Sequence, residues 1–184
     1  RWKGYAAALN EILLYSPGMP DVPAPPKAPY VLVVGNQHNG FTFTALAERI
    51  RELVPELQTL VVPHHEVSLE MIKALEPKPA AIVLSGNNAD YNNLPMFEYN
   101  GEFEIIRKCK LPTLGICAGI QMHAFAYGYT RVRSMGWGDF TAMQEPEEYT
   151  KIEKVLKDPL FAGLPEPFTA PEVHGWAVYS LPQD

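Results

Sequence analysis

The sequence predicts an α/β fold: a doubly wound, mostly parallel sheet flanked by helices, with an antiparallel flap in the carboxyl-terminal third. Three observations carry this expectation. Short, continuous apolar runs such as Tyr30 to Gly35, YVLVVG, have strand length and end in a turn residue, the pattern of a parallel strand covered on both faces. Segments with apolar residues at helical spacing alternate with these runs, and strand–helix alternation closes into a parallel sheet with right-handed crossovers. Beyond Gly128 the alternation stops, and Tyr129 to Met143 and Tyr149 to Val155 look like antiparallel strands.

Taken in order, residues 1–15 place Trp2, Tyr5, Ala6, Leu9, Ile12 and Leu13 at helical spacing, which predicts an amphipathic helix. Residues 16–29 hold Pro17, Pro20, Pro23, Pro25, Pro26 and Pro29, which forbid a helix and predict an extended linker. The folded domain is therefore expected over 30–184. Within it the predicted elements after Gly35 are a helix from Thr44 to Leu53, a strand from Leu60 to Val62 and a helix from Leu69 to Leu75. They continue as a strand from Ala80 to Leu84, a helix from Phe97 to Lys108, a strand from Thr113 to Ile116 and a helix from Ala118 to Tyr127. One helical turn over Asp158 to Ala162 and a hairpin over Phe168 to Leu181, centred on Val173-His174-Gly175, complete the reading.

Composition excludes several function classes. The chain has 184 residues, 47% of them hydrophobic, enough for one full core. A net charge of −6 without a Lys/Arg cluster lacks the electrostatic footprint of a nucleic-acid binder. The two cysteines, Cys109 and Cys117, suit neither a disulfide scaffold nor a structural zinc site, so no metal or other cofactor is expected. No apolar run reaches the length of a membrane span, and a reducing, cytoplasmic setting is the expectation.

Chemistry concentrates in Leu111 to Gly128, LPTLGICAGIQMHAFAYG. A cysteine between two glycines, at the carboxyl end of a strand and the start of a helix, is the pattern of a nucleophile elbow. The chemistry needs a sharp turn that holds the nucleophile in a strained conformation, and glycine flanks let neighbouring chain pass close by. The amino end of the following helix favours negative charge, and the N–H of Ala118 is placed to hold a developing oxyanion. Ser85-Gly86-Asn87, ending the preceding strand, is the expected second half of that hole. Cys109 reads instead as a small core residue.

A thiol nucleophile needs a base, usually His. His38 follows the first strand and reads as a polar loop residue. His64 and His65 follow the second and are expected to be solvated. His123, six residues past Cys117, reads as a structural histidine on the opposite face of its helix. His174, beside Glu172 in sequence, is the best local candidate.

These residues resemble the class I, triad-type glutamine amidotransferases. The family's elbow reads G-x-C-x-G-x-Q, with Ala three residues on and Gly four after that; Gly115, Cys117, Gly119, Gln121, Ala124 and Gly128 fall at those positions. Leu84-Ser85-Gly86 is similar to the family's L-S-G-G strand and Gly136-Trp137 to its E-x-G-W segment. Asp158 to Pro165 resembles its D-P-L-F-x-G-L-P turn, and Val173-His174-Gly175 its S-H-G loop. The resemblance implies thiol attack by Cys117 on the γ-amide of glutamine or a γ-glutamyl compound, a γ-glutamyl thioester, and release of ammonia and glutamate. Backbone N–H groups at Gly86 or Asn87 and at Ala118 would hold the oxyanion, and Gln121 and His174 would lie on the substrate side. It also implies a synthetase domain or subunit as a partner that accepts ammonia.

The family's catalytic His and Glu lie in an H-P-E segment, and this sequence contains none, so the domain is expected to lack its carboxyl-terminal end. Ile120, Asn87 and Ser134 stand where the family has His, Gly and Glu. Two alternatives follow: a catalytically silent module that binds or scaffolds, and a γ-glutamyl hydrolase or cysteine peptidase of the same superfamily.

Overall fold

The computed structural model describes residues 24–27, 29–37, 42–87, 91, 94–129, 132–134, 149–153, 158–171 and 176–178. Four parallel strands form the main sheet: β1 (Tyr30–Gly35), β2 (Gln58–Pro63), β3 (Ala81–Leu84) and β4 (Thr113–Gly115), in the spatial order β2-β1-β3-β4. The chain runs from β1 outward to β2, then crosses to β3 on the other side of β1. That reversal makes the carboxyl ends of β1 and β3 a switch point, where open α/β sheets form their ligand crevices.

Helices cover both faces. Leu32 and Val34 of β1, Val62 of β2 and Ile82 and Leu84 of β3 pack with α2 (Leu69–Ala74), α3 (Asn100–Lys108) and α4 (Ala118–Ala126). The alternate residues Val31, Val33 and Val83 pack with Ala47 of α1 (Thr42–Leu53) and with the partly buried Leu46 and Ile50 on the opposite face. Every residue of β1 is therefore buried, which is why its sequence is apolar without alternation. Helix α2 begins at Ser68, whose side chain accepts a hydrogen bond from Met71 N at 3.0 Å, a cap contributing about 1 kcal/mol. A 3-10 turn, Met96–Tyr99, leads into α3, where a single helix from Phe97 was expected.

The carboxyl-terminal third corrects the expected hairpin. Strand β7 (Phe168–Pro171) pairs antiparallel with β6 (Tyr149–Ile152), and β8 (Trp176–Val178) pairs antiparallel with β5 (Val132–Ser134). The two strands around residue 174 thus belong to different two-stranded sheets, because each finds a more distant partner rather than its neighbour in sequence. The 3-10 turn Pro159–Phe161 falls within the expected helical turn. The predicted helix over 1–15, most of the 16–29 linker, Gly136-Trp137, His38 and His174 lie outside the described residues.

Candidate functional site

Register brings the expected loop and the expected elbow together. Leu84 of β3 is paired with Gly115 of β4, and Ile116 N donates to Leu84 O at 3.0 Å, so Ser85-Gly86 and Ile116-Cys117 leave adjacent strands side by side. A Cβ built on Gly86 would lie 3.3 Å from Cys117 Cβ and 3.8 Å from Cys117 Sγ.

Cys117 has φ 53° and ψ −108°, and among the described residues it is the one non-glycine with positive φ. A side chain in that region costs on the order of 1–3 kcal/mol, so the surrounding structure must impose it. The two flanking glycines show how. A Cβ on Gly115 would lie 2.5 Å from the carbonyl carbon of Gly119, and a Cβ on Gly119 would lie 2.5 Å from Leu84 O. Strand β4, helix α4 and strand β3 meet backbone to backbone, and the turn at Cys117 takes up the remaining angle. The chain tightens there: Gly119 N donates to Ile116 O at 2.9 Å and Ile120 N to Cys117 O at 3.0 Å. Ala118 is the first residue of α4, so its N–H belongs to the first turn, whose donors have no intrahelical acceptor.

Gln121, one turn along α4, is buried. Its Oε1 accepts from Tyr91 Oη and its Nε2 donates to Trp176 O of β8, which ties the helix behind the elbow to the β5–β8 pair. Tyr91 packs edge-on against Trp176, with ring centroids 5.5 Å apart, and against Phe125 at 5.4 Å. Burial raises the Tyr91 phenol above its usual range, so it stays a neutral donor.

The loop beside Cys117 rests on a buried polar cluster that composition and motif do not reveal. The main chain of Asn36, just past β1, is bonded on both sides: its N–H donates to Ser85 Oγ at 2.9 Å, and its carbonyl oxygen accepts from Tyr99 Oη at 3.0 Å. Its Nδ2 donates to Ser85 O at 3.0 Å and to Glu102 Oε1 at 3.3 Å. Ser85 Oγ in turn donates to Gly86 O at 3.1 Å, and Asn87 Nδ2 donates to Tyr99 Oη at 3.1 Å. Asn36 and Glu102 are both 0% exposed. Burial pushes the Glu102 carboxyl up to about 8, against the opposing effect of its hydrogen bond from Asn36. One sequence signal could have exposed this residue. Glu102 shares a helical stripe with the buried Ile105 and Ile106, a carboxylate on a core-facing side.

The histidines sort differently from expectation at one position. His64 is not solvated: it is 1% exposed, its ring stacks on Tyr99 with centroids 4.1 Å apart, and Nδ1 lies 3.1 Å from Gly35 O. The reason is that β2 continues to Pro63, so position 64 is still held at the strand end, with His64 N donating to Gly35 O. Its Nε2 lies 3.5 Å from Glu98 Oε2. His65 is half exposed, and His123 has Nδ1 2.8 Å from Gly119 O within its own helix, as expected of a structural residue. Cys109 packs at the edge of the core. Among the described residues no group of three His, Cys, Asp or Glu is placed to hold a metal ion, and no helix is long and apolar enough to cross a membrane.

Comparison with known proteins matches residues 38–184 to the family described as Glutamine amidotransferase class-I. Among curated relatives, the glutamine-hydrolyzing GMP synthase of Staphylococcus aureus is 33% identical over 159 residues, covering 83% of this chain and 26% of that protein. The carbamoyl phosphate synthase small chain of Helicobacter pylori is 39% identical over 74 residues, covering 40% of this chain and 19% of that protein. The chain thus spans about a quarter or less of the length of these relatives.

Proposed function

We propose, from the premise that the chain belongs to the class I glutamine amidotransferase family, that it hydrolyses the γ-amide of glutamine or of a γ-glutamyl compound with Cys117 as nucleophile. The observation that carries this reading is the strained Cys117 backbone at the carboxyl end of β4, with Gly86 against its side chain. Cys117 Sγ attacks the amide carbon, and the C=O electron pair moves onto oxygen. The N–H groups of Ala118 and of Gly86 or Asn87 hold that oxyanion, two donors from two adjacent strand ends. Collapse breaks the C–N bond: the amide nitrogen takes up the proton given up by the thiol and leaves as ammonia, and a γ-glutamyl thioester remains. Water then attacks the thioester, releasing glutamate and the thiol.

Gln121 shapes the floor of the substrate pocket through its ties to Tyr91 and Trp176, and His174 is assigned to the substrate by its match to the family's S-H-G loop. The base that takes the thiol proton and its carboxylate partner are assigned to the family's H-P-E segment, which the 184 residues do not contain. Ammonia passes to a synthetase domain or subunit, the arrangement that the names of the similar synthases favour.

The test measures ammonia release from glutamine by the full-length protein and by Cys117→Ala, with labelling by a glutamine-like diazoketone. Wild type should turn over and be labelled at Cys117, and the variant should lose roughly 10⁴-fold or more in rate. Folded full-length protein that neither releases ammonia nor reacts would overturn the reading. Asn87, standing where the family has a second glycine in the oxyanion loop, favours one second reading, a silent module that binds a γ-glutamyl compound; saturable binding without turnover would select it.

A further inference from the structure

We propose that Glu102, as a neutral carboxylic acid, is a positioning residue of the amide-hydrolysing site: it fixes Asn36 against Ser85 and thereby the loop that sets Gly86 beside Cys117. This rests on the reading of the site above. Asn36 Nδ2 has two hydrogens, and they go to Ser85 O and Glu102 Oε1. Two acceptors are then left in a cluster that water does not reach, Asn36 Oδ1 and Glu102 Oε2, neither with a donor among the described residues. Both belong to the pair already joined by the Nδ2–Oε1 bond. A hydrogen on Oε2 would supply the donor that Oδ1 lacks and close a two-point acid–amide pair, whereas an ionised Glu102 leaves two buried acceptors of one hydrogen-bonded pair unsatisfied.

The groups around the carboxyl agree with a neutral form. From the 3-10 turn, Tyr99 and Glu98 face the cluster; Tyr91 and Cys117 approach from the loop and the elbow, and none of these brings positive charge. His64, from the end of β2, stacks on Tyr99 and directs Nε2 toward Glu98. On α3 itself, Arg107 donates to Ala126 O and Lys108 to Glu104. The consequence reaches the chemistry through two bonds: Glu102 to Asn36, Asn36 to Ser85, and Ser85 is the residue before Gly86. The oxyanion donor there is held at a fixed distance from the thiol only while that chain is complete.

Glu102→Gln keeps the shape of the acid, with an amide N–H where the proposed O–H stands. Infrared spectra of the wild-type protein at pH 7 should carry a buried carboxylic-acid carbonyl band that Glu102→Gln lacks. In the same proteins without substrate, the backbone amide resonance of Gly86 should titrate with a midpoint near 8 in wild type and stay fixed in the variant. The ratio of ammonia-release rates, variant over wild type, should be near one at pH 6.5 and rise about tenfold by pH 9.5. Absence of the acid band at pH 7, a Gly86 resonance indifferent to Glu102, or a rate ratio constant with pH would each overturn the proposal. Wild-type protein that shows the band and the Gly86 titration but releases no ammonia would sink the hydrolytic reading alone.

Discussion

Cys117 and Gly86 stand side by side at the ends of neighbouring strands, yet they are held there by opposite means. The elbow is fixed by main chain against main chain: Gly115 meets Gly119, and Gly119 meets Leu84 O. The loop is fixed by side chains reaching in from β1, the 3-10 turn and α3, through Asn36, Tyr99 and Glu102. Backbone contact is stiff and insensitive to pH. A polar cluster is satisfied only while each donor and each protonation state is right, so the second half of the site is the part that conditions can alter.

The comparison breaks most sharply at Gly119→Ala. The new Cβ would stand 2.5 Å from Leu84 O and 2.9 Å from Leu84 Cβ, in a place where main chain cannot yield. A loss of about 3 kcal/mol or more in chemical denaturation is expected, with full loss of Cys117 labelling. A variant within about 0.5 kcal/mol of wild type would show that the elbow is not held by this contact.

Next in size is the response of stability to pH, which separates the two supports. The folded-state pKa of Glu102 is raised from 4.5 to about 8, so the folded protein prefers the neutral acid. Its contribution is fully present below pH 4.5 and declines as pH rises toward 8, because the unfolded chain ionises first and the folded one must follow. Denaturation midpoints measured from pH 5 to 9 should therefore fall less steeply for Glu102→Gln than for wild type. Parallel curves would mean that the cluster carries no such linkage.

A smaller effect is expected at Tyr99→Phe. The hydroxyl donates to Asn36 O and accepts from Asn87, and its loss leaves a buried carbonyl without that donor while keeping the ring that stacks on His64. About 1–2 kcal/mol should be lost. Equal stability of the two proteins would place the weight of the loop on Ser85 and Glu102 instead.

The same contrast explains what the sequence disclosed. The elbow was legible because its constraint is local: glycine two residues either side of the turn, next to a strand and a helix, leaves a mark within a dozen residues. Strand β1 was legible because burial on both faces demands an unbroken apolar run. The polar cluster was not, since Asn36, Ser85, Tyr99 and Glu102 meet only once β1, β3, the 3-10 turn and α3 are packed together. His64 misled for a related reason: the stacking partner that buries it lies 35 positions away, so nothing beside it in sequence marks it as internal. The strands near residue 174 misled because pairing by proximity is a default that β5 and β6 override.

The smallest effect tests whether the strain at Cys117 belongs to function. A glycine adopts φ 53° freely, so Cys117→Gly removes the penalty without touching the contacts of Gly115 and Gly119. The variant should be more stable than wild type by about 1 kcal/mol, the upper part of that gain being trimmed by the lost side-chain packing and the freer unfolded chain. Cys117→Ala keeps a Cβ at the same backbone angle and should show no such gain. If glycine and alanine variants were equally stable, the positive φ would cost nothing, and the turn would be an ordinary one that happens to carry a cysteine. If glycine alone stabilises, the fold is holding a thiol where the backbone resists it, next to a loop whose geometry answers to a proton on Glu102.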